Sequence, residues 1–233
     1  MDKVTVFASC DELYFYHHAI PFIRSCIDNG NACRVSVVDP SEQCREYMHA
    51  LSKTSGVSCV ESSTPVSKRI QSLSDEEKIP FYAGTRFYEA PGLLRELQSP
   101  VYITDVDCII RKPLPALNED IGVFLRHDEQ LKMKTAAGIV YINNTVAGNA
   151  FADSVSRNLN ELSLEWFADQ TALWHAYNEI KSVASVYEFT QKEMHWGFSD
   201  DSALIWTGKG PRKDNSREYL AEKFYYALKG INI

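Results

Sequence analysis

Short apolar runs alternate with longer amphipathic segments in the first quarter of the chain. Three runs rich in β-branched residues predict strands: VTVFAS (4–9), RVSVVD (34–39) and VSCVE (57–61). Between them we predict a helix from Pro21 to Asn29, followed by Gly30 as a C-cap, and a second helix from its N-cap Ser41 to about Lys53. The segment 13–20 before the first helix is open between a loop and a turn of helix. The β-α-β-α-β order implies parallel strands with helical crossovers, and hence an α/β fold.

The pattern changes beyond residue 61. The polar segment 62–79 predicts a loop or a short helix, and 81–97 predicts two helical pieces because Pro91-Gly92 interrupts the spacing. Further strands are predicted at 100–110, 121–126, 137–144, in SVYEF and in ALIWT, and further helices at 145–162, 166–180 and 215–228. No repeat or linker marks a boundary, so we predict a single domain over residues 1–233.

Composition narrows the function classes. The chain has 233 residues, 45% of them hydrophobic, which excludes a disordered chain, and a net charge of −7, which argues against duplex nucleic acid as the main partner. A phosphorylated small molecule stays open, because a bound cation could reverse the local field. The six scattered cysteines form no CxxC pair and are interpreted as buried thiols. With neither a signal peptide nor a membrane span in the pattern, we predict a cytoplasmic protein.

The segment PVYITDVDCII places Asp105 and Asp107 after an apolar run. Ligands of open α/β sheets bind outside the carboxyl ends of the strands, and two carboxylates there can hold a hard cation that neutralises a diphosphate. A surface turn or a helix cap is the structural alternative, since an Asp-x-Asp also arises by chance. The context favours a metal site.

A basic glycine-containing segment, WTGKGPRK, follows a late strand at 206–213. Gly208 and Gly210 allow close approach of the backbone, while Lys209, Arg212 and Lys213 supply three cations that could hold phosphate oxygens. Taken alone, a glycine-rich turn with solvated basic residues explains the segment slightly better.

Two further candidates are weaker on their own. Asp169-Gln170 lies at a predicted helix start, where the helix dipole favours a carboxylate and where an acid and an amide could also hydrogen-bond to sugar hydroxyls. Arg86 lies among aromatic residues, which is typical of a surface cation with a buried stem. The histidines show no metal-ligand spacing. The chain contains no GxGxxG, Walker or GxSxG motif, which disfavours a dehydrogenase, an ATPase or a serine hydrolase.

The ordered set of these segments resembles the GT-A fold glycosyltransferases, which use nucleotide sugars and a metal-binding DxD motif. The resemblance spans VTVFAS, YAGTRFYEAPGLL, SPVYITDVDCII, AGIVYINNT, WFADQTALWHAY and ALIWTGKGPRK, and it is greatest to the compact retaining enzymes. It implies a Rossmann-like mixed sheet flanked by helices in a single domain. It also implies a metal-dependent hexosyltransferase with a nucleoside diphosphate sugar, such as a UDP-sugar, as donor and a hydroxyl of a sugar, lipid or protein as acceptor.

The resemblance also implies roles for individual residues. Asp105 and Asp107 would bind Mn²⁺ or Mg²⁺, with Asp105 also near the ribose, and Asp169 and Gln170 would act as the catalytic pair at the donor sugar. Further donor-binding positions are Ala8, Ser9 and Asp11 with Cys10 at the first strand end, Arg86 before the DxD strand, Gly138 and Asn143 at the sugar, and Gly208, Lys209 and Lys213 at the phosphates.

The chain departs from the family at one position. Many relatives carry a His three residues before the glycine of the late loop as a third metal ligand, whereas this chain has Ile205 three before Gly208. His195, Asp200 or Asp201 could substitute, or two aspartates and the diphosphate could suffice. A nucleotide-sugar-binding module without transfer and a sugar-nucleotide nucleotidyltransferase are the alternative functions. A haloacid-dehalogenase-type phosphatase is disfavoured because its DxDxT motif lies near the N-terminus.

Overall fold

A computed structural model describes residues 4–62, 70, 72–208, 210 and 212–231. The chain forms two compact units. The first comprises Met1–Glu61, Thr104–Pro115 and Phe189–Ile233, and the second comprises Ser62–Ile103 and Ala116–Glu188. The single domain predicted over residues 1–233 stays a prediction.

Strands and helices alternate along most of the chain. In order they are β1 (Thr5–Asp11), α1 (Glu12–Asp28), β2 (Ala32–Val38), α2 (Glu42–Leu51), β3 (Val57–Glu61), α3 (Asp75–Leu97), β4 (Val101–Thr104), β5 (Ile109–Ile110), β6 (Ile121–Leu125), the 3₁₀ turn η1 (Leu131–Met133), β7 (Thr135–Ile142), α4 (Val146–Glu161), α5 (Ala168–Ile180), β8 (Val186–Glu188), β9 (Met194–His195), β10 (Ile205–Trp206), α6 (Arg212–Asn215) and α7 (Arg217–Lys229).

The first unit contains the predicted parallel strands, in the order β3-β2-β1. Ala8 of β1 pairs with Val35 of β2, and both side chains are fully buried, because this sheet is covered on its apolar faces. A small separate sheet, β5-β10-β9, pairs Ile205 with Ile110 in antiparallel fashion. A compact apolar cluster in this unit consists of Ile109, Phe198, Ala203, Trp206, Tyr219 and Tyr226.

The second unit contains strands in the order β4-β7-β6-β8. Strand β6 is antiparallel to β7 and parallel to β8, so this sheet is mixed. Helices α3, α4 and α5 pack on one another in the same unit. The predicted α/β class with a mixed sheet and flanking helices is therefore confirmed.

Helix α1 begins earlier than predicted. The sequence pattern placed its start at Pro21, but the helix runs from Glu12 to Asp28 and includes Pro21 in its interior. Asp11 caps it by accepting a hydrogen bond from the backbone N–H of Tyr14 at 2.7 Å. The prediction was wrong because an interior proline removes only one backbone hydrogen bond, and burial of Phe15, Phe22 and other apolar residues on this helix offsets that loss.

Helix α3 is continuous, although two pieces were predicted. It contains both Pro80 and Pro91. Its start is a capping box, in which the Ser74 hydroxyl binds the Glu77 backbone N–H and the Glu77 carboxylate binds the Ser74 backbone N–H. The apolar face that it buries, with Phe81, Phe87 and Leu94 among its residues, is longer than either predicted piece, and packing of this face overrides the interruption.

The other predicted elements appear close to their expected positions. Ser41 caps α2, and Thr145 caps α4 by accepting from Gly148 N–H at 3.0 Å. Residues 63–69 and 71, in the predicted polar loop, lie outside the described residues. All six cysteines are described and are free thiols, five of them buried. Among the described residues, no helix has both the length and the apolar character needed to cross a membrane.

Candidate functional site

The predicted strand over 100–110 is two short strands joined by the DVD turn, which we define as Asp105, Val106 and Asp107. Strand β4 ends at Thr104, and the backbone N–H of Cys108 donates to the Asp105 carbonyl at 3.1 Å before β5 begins. Both aspartates therefore lie in a turn between two strands, outside the strand pairing, while Val106 between them is buried. Asp107 is nevertheless only 7% exposed, so its charge requires compensation.

Lys213 compensates the charge of Asp107. Its ammonium donates to Asp107 Oδ2 at 2.5 Å and to the Tyr14 hydroxyl at 3.2 Å. Burial favours the neutral amine, but the charge of Asp107 and this hydrogen bond raise the pKa of Lys213 above its ordinary value. Asp107 Oδ1, by contrast, is buried and has no hydrogen-bond partner. One carboxylate oxygen is therefore left to bind another cation.

Two neighbours fix the geometry of this pair. The Tyr219 hydroxyl donates to the backbone carbonyl of Asp107 at 2.5 Å, which anchors the DVD turn to α7. Gly208 makes room for Lys213, since a Cβ at this glycine would lie 2.6 Å from Lys213 Cδ. A side chain at position 208 would therefore push Lys213 away from Asp107.

Asp105, Asp107 and Cys108 bring one potential ligand atom each within 4.8 Å of one another. Burial, followed by the charges of Asp105 and Asp107, raises the pKa of the Cys108 thiol well above its ordinary value. A protonated soft ligand is poorly suited to a hard cation, whereas two carboxylates suit Mg²⁺ or Mn²⁺. With the unpartnered Asp107 Oδ1, the donor set fits a divalent ion, which Asp105 and Asp107 could hold.

The end of β1 lies near this cluster within the first unit. Burial raises the pKa of the Cys10 thiol, and the charges of Asp11 and Asp107 add to that rise, so both carboxylates are close to Cys10. Ala8 is fully buried, and the Ser9 hydroxyl is buried without a hydrogen-bond partner. The Asp11 carboxylate caps α1. Its predicted donor-binding role stays a prediction.

The proposed substitutes for the third metal ligand are engaged elsewhere. Asp200 Oδ1 accepts from the Ser202 hydroxyl at 2.6 Å, Asp201 pairs with Arg111 at 3.1 Å, and His195 Nδ1 accepts from the Gly197 N–H at 3.3 Å. Of the described residues, the metal-capable group at the DVD turn includes none of these three. Ile205 is buried in β10. Lys209 lies outside the described residues, and Gly210 adopts a left-handed conformation with φ of 61°.

The second unit contains a buried ion pair between Arg86 of α3 and Asp169 of α5. The guanidinium donates to Asp169 Oδ2 and to the carbonyl of Ala137 in β7, both at 3.3 Å. Asp169 Oδ1 accepts from the Gln170 backbone N–H at 2.8 Å, and the carboxylate lies in the first turn of α5, where the helix dipole favours it. Arg86 is thus a buried partner of Asp169, whereas its sequence context also suited a surface cation.

Gln170 lies beside a second cation that the sequence interpretation missed. Arg126 follows β6, and its guanidinium donates to the side-chain oxygen of Gln170 and, at 3.2 Å, to the Thr135 carbonyl. Burial lowers the pKa of Arg126, while the charge of Glu129 opposes that change. The residue before α5, Phe167, has φ of 75°, an uncommon conformation for a non-glycine residue at the start of this cluster.

The two predicted β7 positions are separated. Gly138 is next to Ala137, whose carbonyl binds Arg86, so it lies with the Asp169 cluster. Asn143 follows the other end of β7, about 16 Å away at the rise of an extended strand. Its side-chain amide donates to the Glu119 carbonyl at 3.2 Å. The structure thus brings Gly138, and not Asn143, to the Asp169 cluster.

Four residues of these clusters had not been predicted: Tyr14, Arg126, Thr135 and Tyr219. Arg126 alone carried a signal, because a cation directly after the apolar run IGVFL is positioned at a strand end. The tyrosines and Thr135 have no distinctive sequence context, and only their tertiary contacts identify them.

Comparisons with known proteins identify the fold. No protein-family model matches the chain, and no curated protein sequence matches it significantly. Among solved structures, the glycosyltransferase GlyE of Streptococcus pneumoniae TIGR4 is similar with a TM-score of 0.63 and 13% identity, over 98% of this chain and 61% of that one. The galactosyltransferase LgtC, solved with donor and acceptor sugar analogues, has a TM-score of 0.58 and 12% identity over 99% and 97% of the two chains.

Mouse xyloside xylosyltransferase 1 is also similar, with a TM-score of 0.51 and 11% identity over 91% of this chain and 99% of that one. These proteins are all glycosyltransferases, so the chain has a glycosyltransferase fold of the GT-A type, as the resemblance implied. It spans 61% of the GlyE chain. Identities of this size establish a common fold, and activity has to be argued from the residues.

Proposed function

We propose that this protein is a metal-dependent glycosyltransferase that moves a hexose from a nucleoside diphosphate sugar to a hydroxyl acceptor. The observation that carries the proposal is the DVD turn, where a nearly buried carboxylate keeps one oxygen without a partner beside a lysine ammonium. Such an arrangement suits a substrate that arrives with both a cation and an anion. A metal-bound diphosphate has this composition.

The similar structures support the same reaction class. LgtC is a galactosyltransferase that was solved with donor and acceptor sugar analogues, and another similar structure is a xylosyltransferase. From the sugar analogues in LgtC we infer a nucleotide-sugar donor, and we propose UDP as its nucleotide because the sequence resemblance implies it. The acceptor contributes a hydroxyl and belongs to a sugar, a lipid or a protein.

Asp105 and Asp107 would hold Mn²⁺ or Mg²⁺, which would supply positive charge to the departing diphosphate. Lys213 is then assigned to a phosphate oxygen, because its ammonium can exchange Asp107 for another anion without leaving this cluster. We assign Ser9 and Asp11, with Ala8, to the nucleoside, and Gly208 and Lys209 to the phosphates. Stabilisation of the developing charge is usually the largest contribution of such groups to the rate.

In the second unit we assign Asp169 and Gln170 to the donor sugar. Arg86 orients the Asp169 carboxylate, which would accept hydrogen bonds from sugar hydroxyls. We assign Gly138 to the sugar as well, because it lies next to Ala137, whereas a sugar-binding role of Asn143 stays a prediction of the resemblance. We further propose retention of configuration, with the departing phosphate oxygen taking the proton of the acceptor.

The test is a donor panel assayed with Asp107→Ala. We expect loss of Mn²⁺-dependent turnover by at least about 10²-fold with an unchanged circular dichroism spectrum, because the variant removes a carboxylate oxygen from the cation. Asp153→Ala is the matched control, since this aspartate is exposed and pairs with Arg95 at 3.6 Å. Undiminished metal-dependent turnover in Asp107→Ala would contradict the metal assignment.

One observation favours a second candidate, a module that binds a nucleotide sugar without transferring it. Ile205 stands where relatives carry a metal-ligating His, and the alternative ligands are engaged elsewhere. The same donor panel distinguishes the candidates. Tight Mn²⁺-dependent binding of a nucleotide sugar with neither transfer nor hydrolysis would identify a binding module, and formation of a nucleotide sugar from a sugar phosphate would identify a nucleotidyltransferase.

A further inference from the structure

Gln170 is held at three of its polar groups. Its backbone N–H donates to Asp169 Oδ1 at 2.8 Å, and its backbone carbonyl accepts from the Thr135 hydroxyl at 2.6 Å. Its side-chain oxygen accepts from the Arg126 guanidinium. The residue is 7% exposed, so these contacts leave the amide little freedom to rotate.

The Arg126 contact determines which end of the amide faces Arg126. A guanidinium has only donors, and a glutamine amide has an oxygen acceptor at one end and two N–H donors at the other. A rotated amide would bring N–H groups against a half-buried cation and lose a charge-assisted hydrogen bond. The oxygen therefore faces Arg126, and the NH₂ group points away from it. Within the described part of the chain, the structure gives that NH₂ group no hydrogen-bond partner.

Arg126 is itself fixed in place. Its second hydrogen bond goes to the Thr135 carbonyl at 3.2 Å, and its own backbone N–H donates to the Lys134 carbonyl at 2.7 Å. Thr135 thus contacts both residues, through its carbonyl to Arg126 and its hydroxyl to Gln170. This network connects the β6–β7 strand ends to the first turn of α5 and orients the Gln170 amide there.

We propose that Arg126 is a positioning residue that orients the Gln170 amide so that its NH₂ group donates hydrogen bonds to oxygen atoms of the donor sugar. The proposal rests on the proposed function for the identity of the ligand. It implies that Gln170 acts as a hydrogen-bond donor. Its side-chain oxygen accepts a hydrogen bond from the Arg126 guanidinium, which withdraws electron density and lowers its nucleophilicity, so we assign Gln170 no covalent role.

The first test is a double-mutant cycle with Arg126→Met, Gln170→Ala and the double variant. If Arg126 acts through Gln170, we expect Arg126→Met to lower kcat at least about tenfold with little change in UDP affinity, and to cost almost nothing further in the Gln170→Ala background. Arg126→Lys should recover part of kcat, because an ammonium can also donate to the amide oxygen. An equal loss from Arg126→Met in both backgrounds would overturn the proposal.

The second test does not require turnover. The side-chain amide ¹H–¹⁵N resonances of Gln170, assigned by their absence in Gln170→Ala, should shift and broaden in Arg126→Met and remain near their wild-type positions in Arg95→Met, a control on an exposed arginine. Unchanged Gln170 resonances in a folded Arg126→Met would overturn the positioning role. If no variant transfers sugar and the resonances still respond, the proposed function fails while the positioning role stands. Arg126→Lys provides the same comparison should Arg126→Met not fold.

Discussion

Asp107 in the first unit and Asp169 in the second are buried to nearly the same extent, at 7% and 9% exposed, but their charges are compensated differently. Asp107 has a lysine on one oxygen and no hydrogen-bond partner on the other. Asp169 has an arginine on one oxygen and a backbone N–H on the other. Both oxygens of Asp169 are thus satisfied within the protein, whereas Asp107 retains capacity for a ligand.

The difference suits two kinds of chemistry. A carboxylate with an open oxygen and a flexible ammonium can reorganise when a cation and an anion bind. A carboxylate held by a guanidinium and a helix N-terminus is already oriented, which suits hydrogen bonding to neutral hydroxyl groups. Under the proposed function, the first arrangement serves the metal diphosphate and the second serves the sugar.

Removal of the arginine should have the largest effect on stability. We expect Arg86→Met to lower the free energy of unfolding by about 3–5 kcal/mol, because it leaves the Asp169 charge buried and uncompensated. Chemical denaturation measures the effect. Arg95→Met on the same helix is the control, since its pair with Asp153 is 3.6 Å long and exposed and should contribute at most about 1 kcal/mol. Equal losses in the two variants would mean that the Arg86 pair is not structurally important.

Removal of Lys213 should instead leave a charge on Asp107 that a bound metal ion can compensate. We expect Lys213→Met to bind Mn²⁺ about tenfold more tightly in the absence of donor, because the ammonium 2.5 Å from Asp107 Oδ2 no longer competes with or repels the ion. Calorimetric titration measures the affinity, and Mn²⁺ should raise the Tm of this variant more than that of the wild type. Lys229→Met, which breaks another Lys–Asp pair of 2.7 Å, is the control. Weaker Mn²⁺ binding by Lys213→Met would make the lysine part of the metal site.

The pH dependence of stability should differ between the units. Burial, with the charges of Lys223, Lys213 and His17, lowers the pKa of His18 from 6.5 to about 3, and Asp214 opposes this change. The Tyr14 ring lies 4.8 Å from its ring. Because the unfolded chain binds the proton near pH 6.5 and the folded chain does not, stability falls as the pH decreases from 6.5 towards 3.

We expect this loss to reach about 1–2 kcal/mol at pH 5 and to disappear in His18→Gln, with the exposed His49→Gln of α2 as control. In the second unit, hydrogen bonds from Ser154, Asn158 and Arg157 lower the pKa of Glu179, so its contribution is lost only as the pH falls below 4.5. Urea unfolding followed between pH 7 and pH 5 separates the contribution of His18 from that of Glu179, because only the first is lost in this range. An identical slope in His18→Gln and the wild type would exclude His18 as its source.

The smallest expected effect concerns the anchor of the DVD turn. Tyr219→Phe removes the hydroxyl that donates to the Asp107 carbonyl at 2.5 Å and should lower stability by about 1 kcal/mol. Mn²⁺ affinity should fall slightly, because Asp107 is then less well oriented. The Tyr226 hydroxyl accepts a long hydrogen bond of 3.4 Å from the Asn29 amide. Tyr226→Phe is therefore the control, and it should change neither stability nor Mn²⁺ affinity appreciably.

Local sequence patterns predicted most elements of the fold, because apolar periodicity and caps act within a few residues. Ser41 and Thr145 begin helices as expected, and the three parallel strands of the first unit lie where β-branched runs indicated them. The two errors in helix bounds came from prolines: Pro21 and Pro91 were interpreted as boundaries and lie inside helices. Whether a helix tolerates an interior proline depends on how much surface it buries, and a local pattern does not contain that information.

In the candidate site, too, some features follow from the local sequence and others only from tertiary contacts. The sequence by itself determined the charged residue types of the site, since Asp105 and Asp107 follow a buried strand and Lys213 belongs to a basic segment. Only the tertiary structure paired Lys213 with Asp107, Arg86 with Asp169 and Arg126 with Gln170, because each pair joins positions far apart in the chain. The physical reason is that composition and spacing specify a charge, whereas its compensation depends on which distant groups folding brings within hydrogen-bonding distance.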